Sequence, residues 1–377
     1  MMRGKCVIAG VGHTAYGKQP GRDRVSLIVE ASRNALIDAG VDKAVVDGVL
    51  VKMANSEPSF LYGQRVAEAL GIRPKVGGSL DQGGAANAAL ISYASMAIDA
   101  GMMEIAIVCF GDNPRTGNRQ VYARPRGDDA VYGFYSTAAG YALIHQRYKQ
   151  QYSVPDAHIG AVAVTVRDHG ARNPNAQLKL PLTLDAYLDA PYLIEPMRRD
   201  DCCLVSDGAA AVIVMSAKKA GELGIDHAVP ILGFGQGQES WDVHLRPDLL
   251  RTMAIESGET AFRMAGLTHK DIGVAQLYDC FTITPLITLE DYGFCAAGQA
   301  AAFAAEGGFA LDGQLPMNTS GGLLSETGTP GLPLIIEGVR QMRGDANLQV
   351  GGDKSCIVSN QGGTMHTHST LILGRAG

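Results

Sequence analysis

The sequence lacks the features that mark several classes of protein. Its seven cysteines are scattered and include no Cys-x-x-Cys pair, which argues against a zinc site and against a secreted disulfide scaffold. No stretch approaches the ~20 apolar residues of a membrane-spanning helix, and the apolar run at Cys6–Gly10 is too short for a signal peptide. Lys and Arg form no long run and the net charge is −6, so we expect no nucleic-acid partner. A cytoplasmic protein with reduced thiols is predicted.

What is present is a glycine-rich chain with the composition of a layered α/β protein. Its 377 residues include 47 glycines, and 46% of the residues are hydrophobic. Short apolar runs typical of buried strands alternate with helical patterns such as Val25–Ala39, which predicts much parallel sheet covered on both faces. The predicted strands include Cys6–Ala9, Gly48–Val51, Ile105–Phe110, Ala209–Met215, Pro230–Gly233, Val274–Leu277 and Ile357–Ser359.

An internal repeat accounts for the length of the chain. A helix that ends at Gly40 and another that ends at Gly266 carry similar residues at a constant offset of 226 (266 minus 40). A weaker repeat pairs Gly83-Gly84 with Gly321-Gly322, each expected to begin a helix. We predict an N-terminal half at 1–228 and a C-terminal half at 229–377.

The N-terminal half carries an insertion at about 113–196 that is rich in Tyr and Arg. Insertions of this length form a solvated cap, a lid or a subunit contact, and the aromatic and arginine content favours an interface. The residues concerned are Arg115, Arg119, Tyr122, Arg124, Arg126, Tyr132, Tyr135 and Tyr141.

Five turn-like segments could carry chemistry. They are Gly77–Ala86, Asp201–Ala211, Tyr278–Phe281, Asn318–Gly331 and Ser359–Ser369. In the first, Gly83 and Gly84 lead from a strand into an Ala-rich helix. They could present N–H groups and the positive end of a helix dipole to an oxyanion, or simply allow close packing. In the second, Cys202 and Cys203 are interpreted as buried structural thiols.

Titratable side chains lie in the third and fifth segments. Tyr278 and Asp279 follow a predicted strand, and α/β sheets bind ligands at the carboxyl ends of strands, so proton transfer is an alternative to simple packing. His366 and His368 alternate, which would place them on one face of a strand. No carboxylate or cysteine stands at ligand spacing from them, so no metal site is predicted.

Taken together, in this order and spacing, the five segments resemble the thiolase superfamily, in particular its sterol-carrier-protein-type and lipid-transfer-protein-like branch. The resemblance covers nearly the whole chain. It implies a duplicated five-layer α-β-α-β-α fold, an acyl-CoA substrate with no bound cofactor, a homodimer, and a small partner subunit with an OB-fold and a zinc ribbon. The segments that carry it best are Val7–Gly17, Cys203–Ala211, Tyr278–Phe281, Asn318–Leu324 and Glu337–Gln341.

The sequence departs from working thiolases at their catalytic positions. The family's nucleophile is a cysteine at the helix N-terminus of the first segment, and no cysteine stands between Cys6 and Cys109. The histidine of the family's Gly-His-Pro motif is absent from Thr327–Pro330. The family's second cysteine would fall near Asn360, and it is missing there too. An acyl-cysteine mechanism at the usual position is therefore excluded.

The lipid-transfer-protein-type aldolases, which cleave the side chains of steroid β-hydroxyacyl-CoAs, resemble the sequence more closely. They also lack that cysteine and carry Tyr-Asp-x-Phe at the position of Tyr278. The resemblance implies retro-aldol cleavage, in which Tyr278 with Asp279 moves the β-hydroxyl proton and N–H groups hold the thioester enolate. Those aldolases have a second tyrosine where this chain has Thr327–Pro330, so Glu326, His366 or His368 would have to replace it. The expected substrate-binding positions are Gly83, Gly84, Gly321, Gly322, Asn360, Gly362 and Gly363.

Two alternatives remain open from the sequence. One is an acyltransferase or thiolase of the acetyl-CoA acetyltransferase type that uses another nucleophile, for example Cys280. The other is a non-catalytic acyl-CoA-binding subunit, because the loss of three catalytic positions is also what decay of an enzyme produces.

Overall fold

The computed structural model describes residues 2–118, 130–131, 134, 136–240, 243–350 and 352–376. Its strands are β1 (Cys6–His13), β2 (Gly48–Lys52), β3 (Val76–Leu80), β4 (Ile105–Asp112), β5 (Tyr192–Ile194), β6 (Met197–Arg198), β7 (Gly208–Ser216), β8 (Val229–Gln238), β9 (Ile272–Gln276), β10 (Ser355–Gly362) and β11 (Thr367–Leu373). Its helices are α1 (Arg24–Ala39), α2 (Tyr62–Leu70), α3 (Ala86–Asp99), α4 (Thr137–Tyr152), α5 (Asp156–Ala171), α6 (Leu184–Asp189), α7 (Ala217–Glu222), α8 (Ala254–Ala265), α9 (Ile283–Asp291), α10 (Ala300–Ala305) and α11 (Leu332–Arg343).

Nine strands form one mixed sheet in the order β3-β2-β4-β7-β1-β8-β11-β10-β9. In the N-terminal half, β3, β2 and β4 are parallel, and β7 and β1 follow antiparallel. The C-terminal half repeats this order, because β9 and β10 are parallel, β11 and β8 follow antiparallel, and Met317 forms a parallel bridge beside β9 at the place of the third strand. The halves join where β1 pairs with β8 and Ile8 lies opposite Val229.

Glycines in the two central strands let an outer helix lie directly on the backbone. A β-carbon at Gly12 in β1 would overlap the carbonyl oxygen of Ala31 in α1. A β-carbon at Gly235 in β8 would overlap the carbonyl oxygen of Ser257 in α8. The same close contact therefore occurs in both halves, and only glycine permits it.

The two outer helices also end in the same way. α1 ends at Gly40, whose φ is 64°, and α8 ends at Gly266, whose φ is 61°. Glycine adopts this left-handed conformation without the strain that a β-carbon causes, so it ends helices readily. The two helix ends predicted from the repeat are confirmed.

The buried residues form three apolar layers. One packs α1 and α2 against the sheet, and a second encloses α3 and α11 between the two halves of the sheet. The third packs α4, α5, α8, α9 and α10 against the far side of the C-terminal strands. The order of layers is therefore helix, sheet, helix, sheet, helix, which places the first turns of α3 and α11 in the centre of the molecule.

The described part of the insertion is helical and packs on the C-terminal half. Tyr141, Ile144 and Tyr148 of α4 are buried together with Phe281 and Ile287. A solvated cap is therefore the wrong interpretation for α4. The insertion residues Arg119, Tyr122, Arg124, Arg126, Tyr132 and Tyr135 lie outside the described residues.

Two glycine pairs differ from their predicted local structure. Gly77 and Gly78 lie inside β3 and not in a turn, since they pair with Val49 and Leu50 of β2. The segment after Gly321 is a single π-helical turn, Gly322–Glu326, and the long helix begins only at Leu332. No helix of the described residues is long and apolar enough to cross a membrane.

Candidate active site

The phenol of Tyr278 lies over the glycine turn that begins α3. A β-carbon at Gly84 would overlap both the phenol oxygen of Tyr278 and the carbonyl oxygen of Gln361. The backbone of Tyr278 is fixed on both sides, because its N–H donates to Ser359 Oγ at 2.9 Å and its carbonyl accepts from Thr284 Oγ1 at 2.6 Å. Glycine at position 84 therefore allows the phenol to reach the first turn of the central helix.

Three glycine-containing segments converge beside this phenol. A β-carbon at Gly83 would lie 2.8 Å from the Cα of Gly362 and 3.0 Å from the nitrogen of Gly363. A β-carbon at Gly331, directly before α11, would lie 3.0 Å from the carbonyl oxygen of Gly84. The N-termini of α3 and α11 thus meet here, and each contributes the positive end of its dipole and backbone N–H groups without helical partners. The structure brings Tyr278, Gly83, Gly84, Gly362 and Gly363 together.

Two buried asparagines lie at the same junction. Asn360 in β10 was predicted as a substrate-binding residue, and its Oδ1 would be 2.5 Å from a β-carbon at Gly331. Asn87 in α3 was not predicted, and its Nδ2 donates to the carbonyl of Pro330 at 2.7 Å. The only signal in the sequence for Asn87 is that it interrupts an alanine run at a helix start.

Asp279, the neighbour of Tyr278 in the chain, caps the π-helical turn. Its carboxylate accepts from the N–H groups of Leu323 at 2.8 Å and Leu324 at 3.3 Å. Burial raises the pKa of Asp279 to about 6. A β-carbon at Gly322 would lie 2.7 Å from Asn318 Nδ2 and against Asp279, so this glycine admits the carboxylate.

Glu326 forms a separate buried cluster at the end of the π-helical turn. Its carboxylate accepts from Ser320 Oγ at 2.6 Å and from Asn173 Nδ2 at 3.1 Å. Burial raises the pKa of Glu326 to about 7, and the charge of Glu337 acts in the same direction. Gly321 packs on Gly170 of α5. These contacts of Gly321, Gly322 and Glu326 join the π-helical turn to α5, Ser320, Asn173 and Asp279.

His366 and His368 do not share a strand face. His366 lies in the turn before β11, where its Nδ1 accepts from the N–H of Thr364 at 3.0 Å. His368 lies in β11, pairs with Ser257 Oγ of α8 at 2.7 Å and packs edge-on against Tyr292. Burial lowers the pKa of His368 to about 3, so the ring is neutral at neutral pH. His368 faces the outer layer that contains α8, whereas the phenol of Tyr278 faces the central layer.

The thiol of Cys280 is partly buried beside the site. Its sulfur accepts from Gln361 Nε2 at 3.4 Å, and burial raises its pKa to about 12. Nucleophilic cysteines work as thiolates, and a thiol with this pKa is protonated at neutral pH. The geometry therefore argues against the alternative in which Cys280 attacks an acyl group.

Two other features that often mark an active site, a cluster of metal ligands and a large cavity, do not coincide with this site in the part of the chain that the structure describes. Among the residues that the structure describes, no group of three or more His, Cys, Asp or Glu side chains could hold a metal ion. A cavity of about 770 Å³ lies between α2 and β3, far along the sheet, and no predicted site residue lines it.

Known proteins match the chain from end to end. Residues 235–375 match a family model described as Thiolase C-terminal domain-like. The chain is 35% identical, over 99% of its length and 100% of the relative's, to a Mycobacterium tuberculosis protein named 17-hydroxy-3-oxo-4-pregnene-20-carboxyl-CoA lyase. It is 33% identical, over 99% of both chains, to a Thermomonospora curvata protein named steroid side-chain-cleaving aldolase.

A solved structure agrees with these relatives. The structure described as Ltp2-ChsH2(DUF35) aldolase superposes with a TM-score of 0.90 at 32% identity, covering 100% of this chain and 99% of that one. The predicted five-layer α/β fold is confirmed.

Proposed function

The chain belongs to the thiolase superfamily, on its sterol-carrier-protein and lipid-transfer-protein-like branch, and we propose that it cleaves a β-hydroxyacyl-CoA by a retro-aldol reaction. The observation that carries the proposal is the phenol of Tyr278 over Gly84, at a helix N-terminus that has no thiol. A steroid side-chain thioester is the proposed substrate class, because relatives at 33–35% identity over the full length are named for that activity.

The proposed reaction needs one base and one site for an enolate. The phenolate of Tyr278 takes the proton of the β-hydroxyl, and the oxygen becomes a carbonyl as the Cα–Cβ bond breaks. The electrons of that bond move to the thioester and form an enolate. The enolate carbon then takes the proton from Tyr278, which gives a ketone or aldehyde and a shortened acyl-CoA. No covalent intermediate and no oxidant are required.

The two central helices are suited to hold the enolate oxygen. α3 and α11 both begin beside Gly84, so the positive ends of two dipoles point at one place. Donors fixed before the reaction stabilise a developing oxyanion without reorganisation, and a buried site strengthens the effect. Gly83, Gly84, Gly362 and Gly363 are the proposed backbone elements of this site.

The remaining predicted residues receive supporting roles in the proposal. Asp279 positions the π-helical turn through Leu323 and Leu324, which keeps the segment after Tyr278 in place. Glu326 joins that turn to Asn173. A direct part for Glu326, His366 or His368 in proton transfer stays a prediction that the proposed mechanism does not need.

A second subunit is part of the proposal. The name of the similar solved structure, Ltp2-ChsH2(DUF35) aldolase, joins an aldolase to another protein. We propose that this chain also works with a small partner of the OB-fold and zinc-ribbon type, and as a homodimer. Coenzyme A thioesters are the proposed substrates, and no resident cofactor is included.

Replacement of Tyr278 by Phe tests the mechanism. The change removes only the phenol oxygen, so we expect turnover of a steroid β-hydroxyacyl-CoA to fall at least about 100-fold while binding of the thioester is retained, since general acid–base catalysis contributes about 10² to 10⁴. The assay is mass spectrometry of products, using the chain together with any subunit that co-purifies.

The matched control is Tyr152→Phe, which removes a phenol oxygen that accepts a hydrogen bond from its neighbour Gln151 at 3.1 Å. Unchanged turnover in Tyr278→Phe would refute the assigned base. Cleavage of only a β-ketoacyl-CoA, and only with free coenzyme A, would refute the retro-aldol reaction itself.

A further inference from the structure

Besides Gln361 Oε1, three polar side-chain atoms beside the candidate site are buried and have no hydrogen-bond partner. They are Asn87 Oδ1, Asn360 Oδ1 and Ser369 Oγ, and each of these residues is 0% exposed. A buried polar atom that pairs with nothing loses its hydration without compensation, so native proteins contain few of them. Such atoms next to a reaction site indicate a ligand group that completes them.

The orientation of both amides is fixed by their surroundings. Asn87 Nδ2 donates to the carbonyl of Pro330 at 2.7 Å, and Asn360 Nδ2 donates to the carbonyl of Ser359 at 2.8 Å. Turning either amide over would place two acceptor oxygens against each other. Both Oδ1 atoms are therefore the acceptors that remain unpaired.

The three residues occupy one place in the central layer. Asn360 and Ser369 are direct partners across β10 and β11, so their side chains project from the same face of the sheet. Asn87 belongs to the first turn of α3, which lies on that face, and its Nδ2 is 2.8 Å from a β-carbon placed at Gly331. We call these three residues the amide subsite.

The amide subsite and the phenol of Tyr278 lie on two sides of one peptide. The carbonyl of Gly84 points toward Gly331 and Asn360, whereas its Cα lies against the phenol oxygen. Gly84 therefore contacts both the phenol of Tyr278 and the glycine that packs on Asn360 and Asn87, which puts the amide subsite next to the proposed base.

On the basis of the proposed function, we propose that the amide subsite binds the β-hydroxyl group and selects hydroxyacyl thioesters over ketoacyl or unsubstituted ones. A hydroxyl can donate to an amide oxygen, which holds it beside Tyr278 until the phenolate takes the proton. A ketone can only accept, so it leaves the amide oxygens unpaired, as does a methylene. Sites built to pair with a hydroxyl reject analogues that lack it. Asn87 and Asn360 are thus specificity-determining residues.

Binding in the Tyr278→Phe background tests this without turnover. Dissociation constants are measured by calorimetry for three thioesters with one steroid acyl skeleton: the β-hydroxyacyl-CoA, the β-ketoacyl-CoA and the saturated acyl-CoA. We expect the hydroxy compound to bind about tenfold more tightly than either analogue, which corresponds to about 1.4 kcal/mol. Adding Asn87→Ala or Asn360→Ala should reduce this preference to nearly one and leave the affinity for the saturated compound unchanged.

The matched control is Asn34→Ala, which removes an amide that donates to the carbonyl of His13 away from the site. It should keep the tenfold preference. Retention of the preference in both Asn87→Ala and Asn360→Ala would overturn the inference and leave a buried water as the occupant. If Asn360→Ala also loses the saturated compound, its fold is affected, and Ser369→Ala tests the same subsite from the neighbouring strand.

The outcome separates the inference from the function on which it rests. If the parent chain cleaves the hydroxy compound but the preference survives the asparagine changes, the function stands and the inference fails. If the preference depends on the asparagines but the parent chain cleaves nothing, the subsite stands and the retro-aldol function fails.

Discussion

The N- and C-terminal halves are alike where their outer helices pack and unlike where their central helices begin. On the outside, Gly12 admits α1 and Gly235 admits α8, and both helices end in a left-handed glycine. Inside, strand β3 ends at Leu80 and α3 begins at Ala86, just after Gly84. α11 starts only after the capped turn Gly322–Glu326 and Gly331. A duplicated scaffold thus carries two different connections.

This difference separates what supports the fold from what carries the site. The outer contacts recur because each helix needs the same close approach to a strand, whatever the protein does. The connections to the central helices can differ in length and conformation, because they need only bring two helix N-termini to the same place. The unpaired amides lie in the first turn of α3 and in β10, and the phenol of Tyr278 follows β9, so the site is built where these elements meet those connections.

The largest expected effect is the loss of the repeated outer contact. Gly12→Ala and Gly235→Ala would each place a methyl group on a helix carbonyl, of Ala31 and of Ser257. Backbone atoms cannot move aside as side chains do, so we expect each change to lower the free energy of unfolding by at least about 3 kcal/mol. Urea unfolding of both variants measures whether the two halves depend equally on this contact.

Gly221→Ala is the control for these variants. A β-carbon there meets nothing within 4 Å, and the residue lies inside α7. We therefore expect the free energy of unfolding to rise by about 0.5–1 kcal/mol. If only one of the two strand glycines tolerates alanine, the outer helices do not pack equally tightly in the two halves. The halves would then be alike in topology but not in packing.

A smaller effect is expected from the buried carboxyl group of the C-terminal connection. Burial raises the pKa of Glu326 to about 7, so the folded state holds this proton more tightly than the unfolded chain does. The stability that it contributes is present below the usual glutamate pKa and is lost as pH rises through about 7. As the pH rises from 4.5 to 8, the free energy of unfolding of Glu326→Gln should therefore increase relative to that of wild type by on the order of 1–3 kcal/mol.

Urea unfolding at several pH values measures this difference. Glutamine can keep both contacts, accepting from Asn173 and donating to Ser320, so packing changes little. Glu256→Gln on the exposed face of α8 is the control and should show no such trend. A difference that is constant with pH would mean that Glu326 is not the group that titrates.

The outer scaffold was predictable from the sequence because its signals are local. An apolar run, a helical period and a glycine at the helix end each act within a few residues, so α1 and the strands β1, β4 and β7 lie close to their predicted bounds. The place of Tyr278 was also predictable, because a strand end in an α/β sheet is a general ligand site. Its role stays a prediction.

The rest of the site depends on contacts that no local pattern reveals. Whether His366 and His368 share a face depends on where β11 begins, and the turn takes up His366. Because strand side chains alternate, a shift of one residue reverses the face. Asn87 could not be singled out, since an unpaired amide oxygen is visible only when Pro330 and Asn360 are in place around it.

The last variant is expected to change activity as well as stability. Gly84→Ala would place a methyl group against the phenol oxygen of Tyr278 and the carbonyl of Gln361. The ring can tilt away but the backbone carbonyl cannot, so we expect the free energy of unfolding to fall by about 3 kcal/mol, as at Gly12 and Gly235. The displaced phenol no longer reaches the reacting oxygen, and a misplacement of about 1 Å costs about 100-fold in rate. Product formation and urea unfolding are measured on the same variant.

Gly78→Ala in β3 is the matched control, because a β-carbon there meets nothing within 4 Å. It should leave both turnover and stability nearly unchanged. Turnover and stability of Gly84→Ala together show whether this glycine serves packing, as Gly12 does, or the reaction. A large loss of stability with normal turnover would make Gly84 a packing glycine like Gly12. A loss of turnover much larger than in Gly12→Ala, at a similar loss of stability, would show that the connections of the central helices can change function independently of the duplicated scaffold.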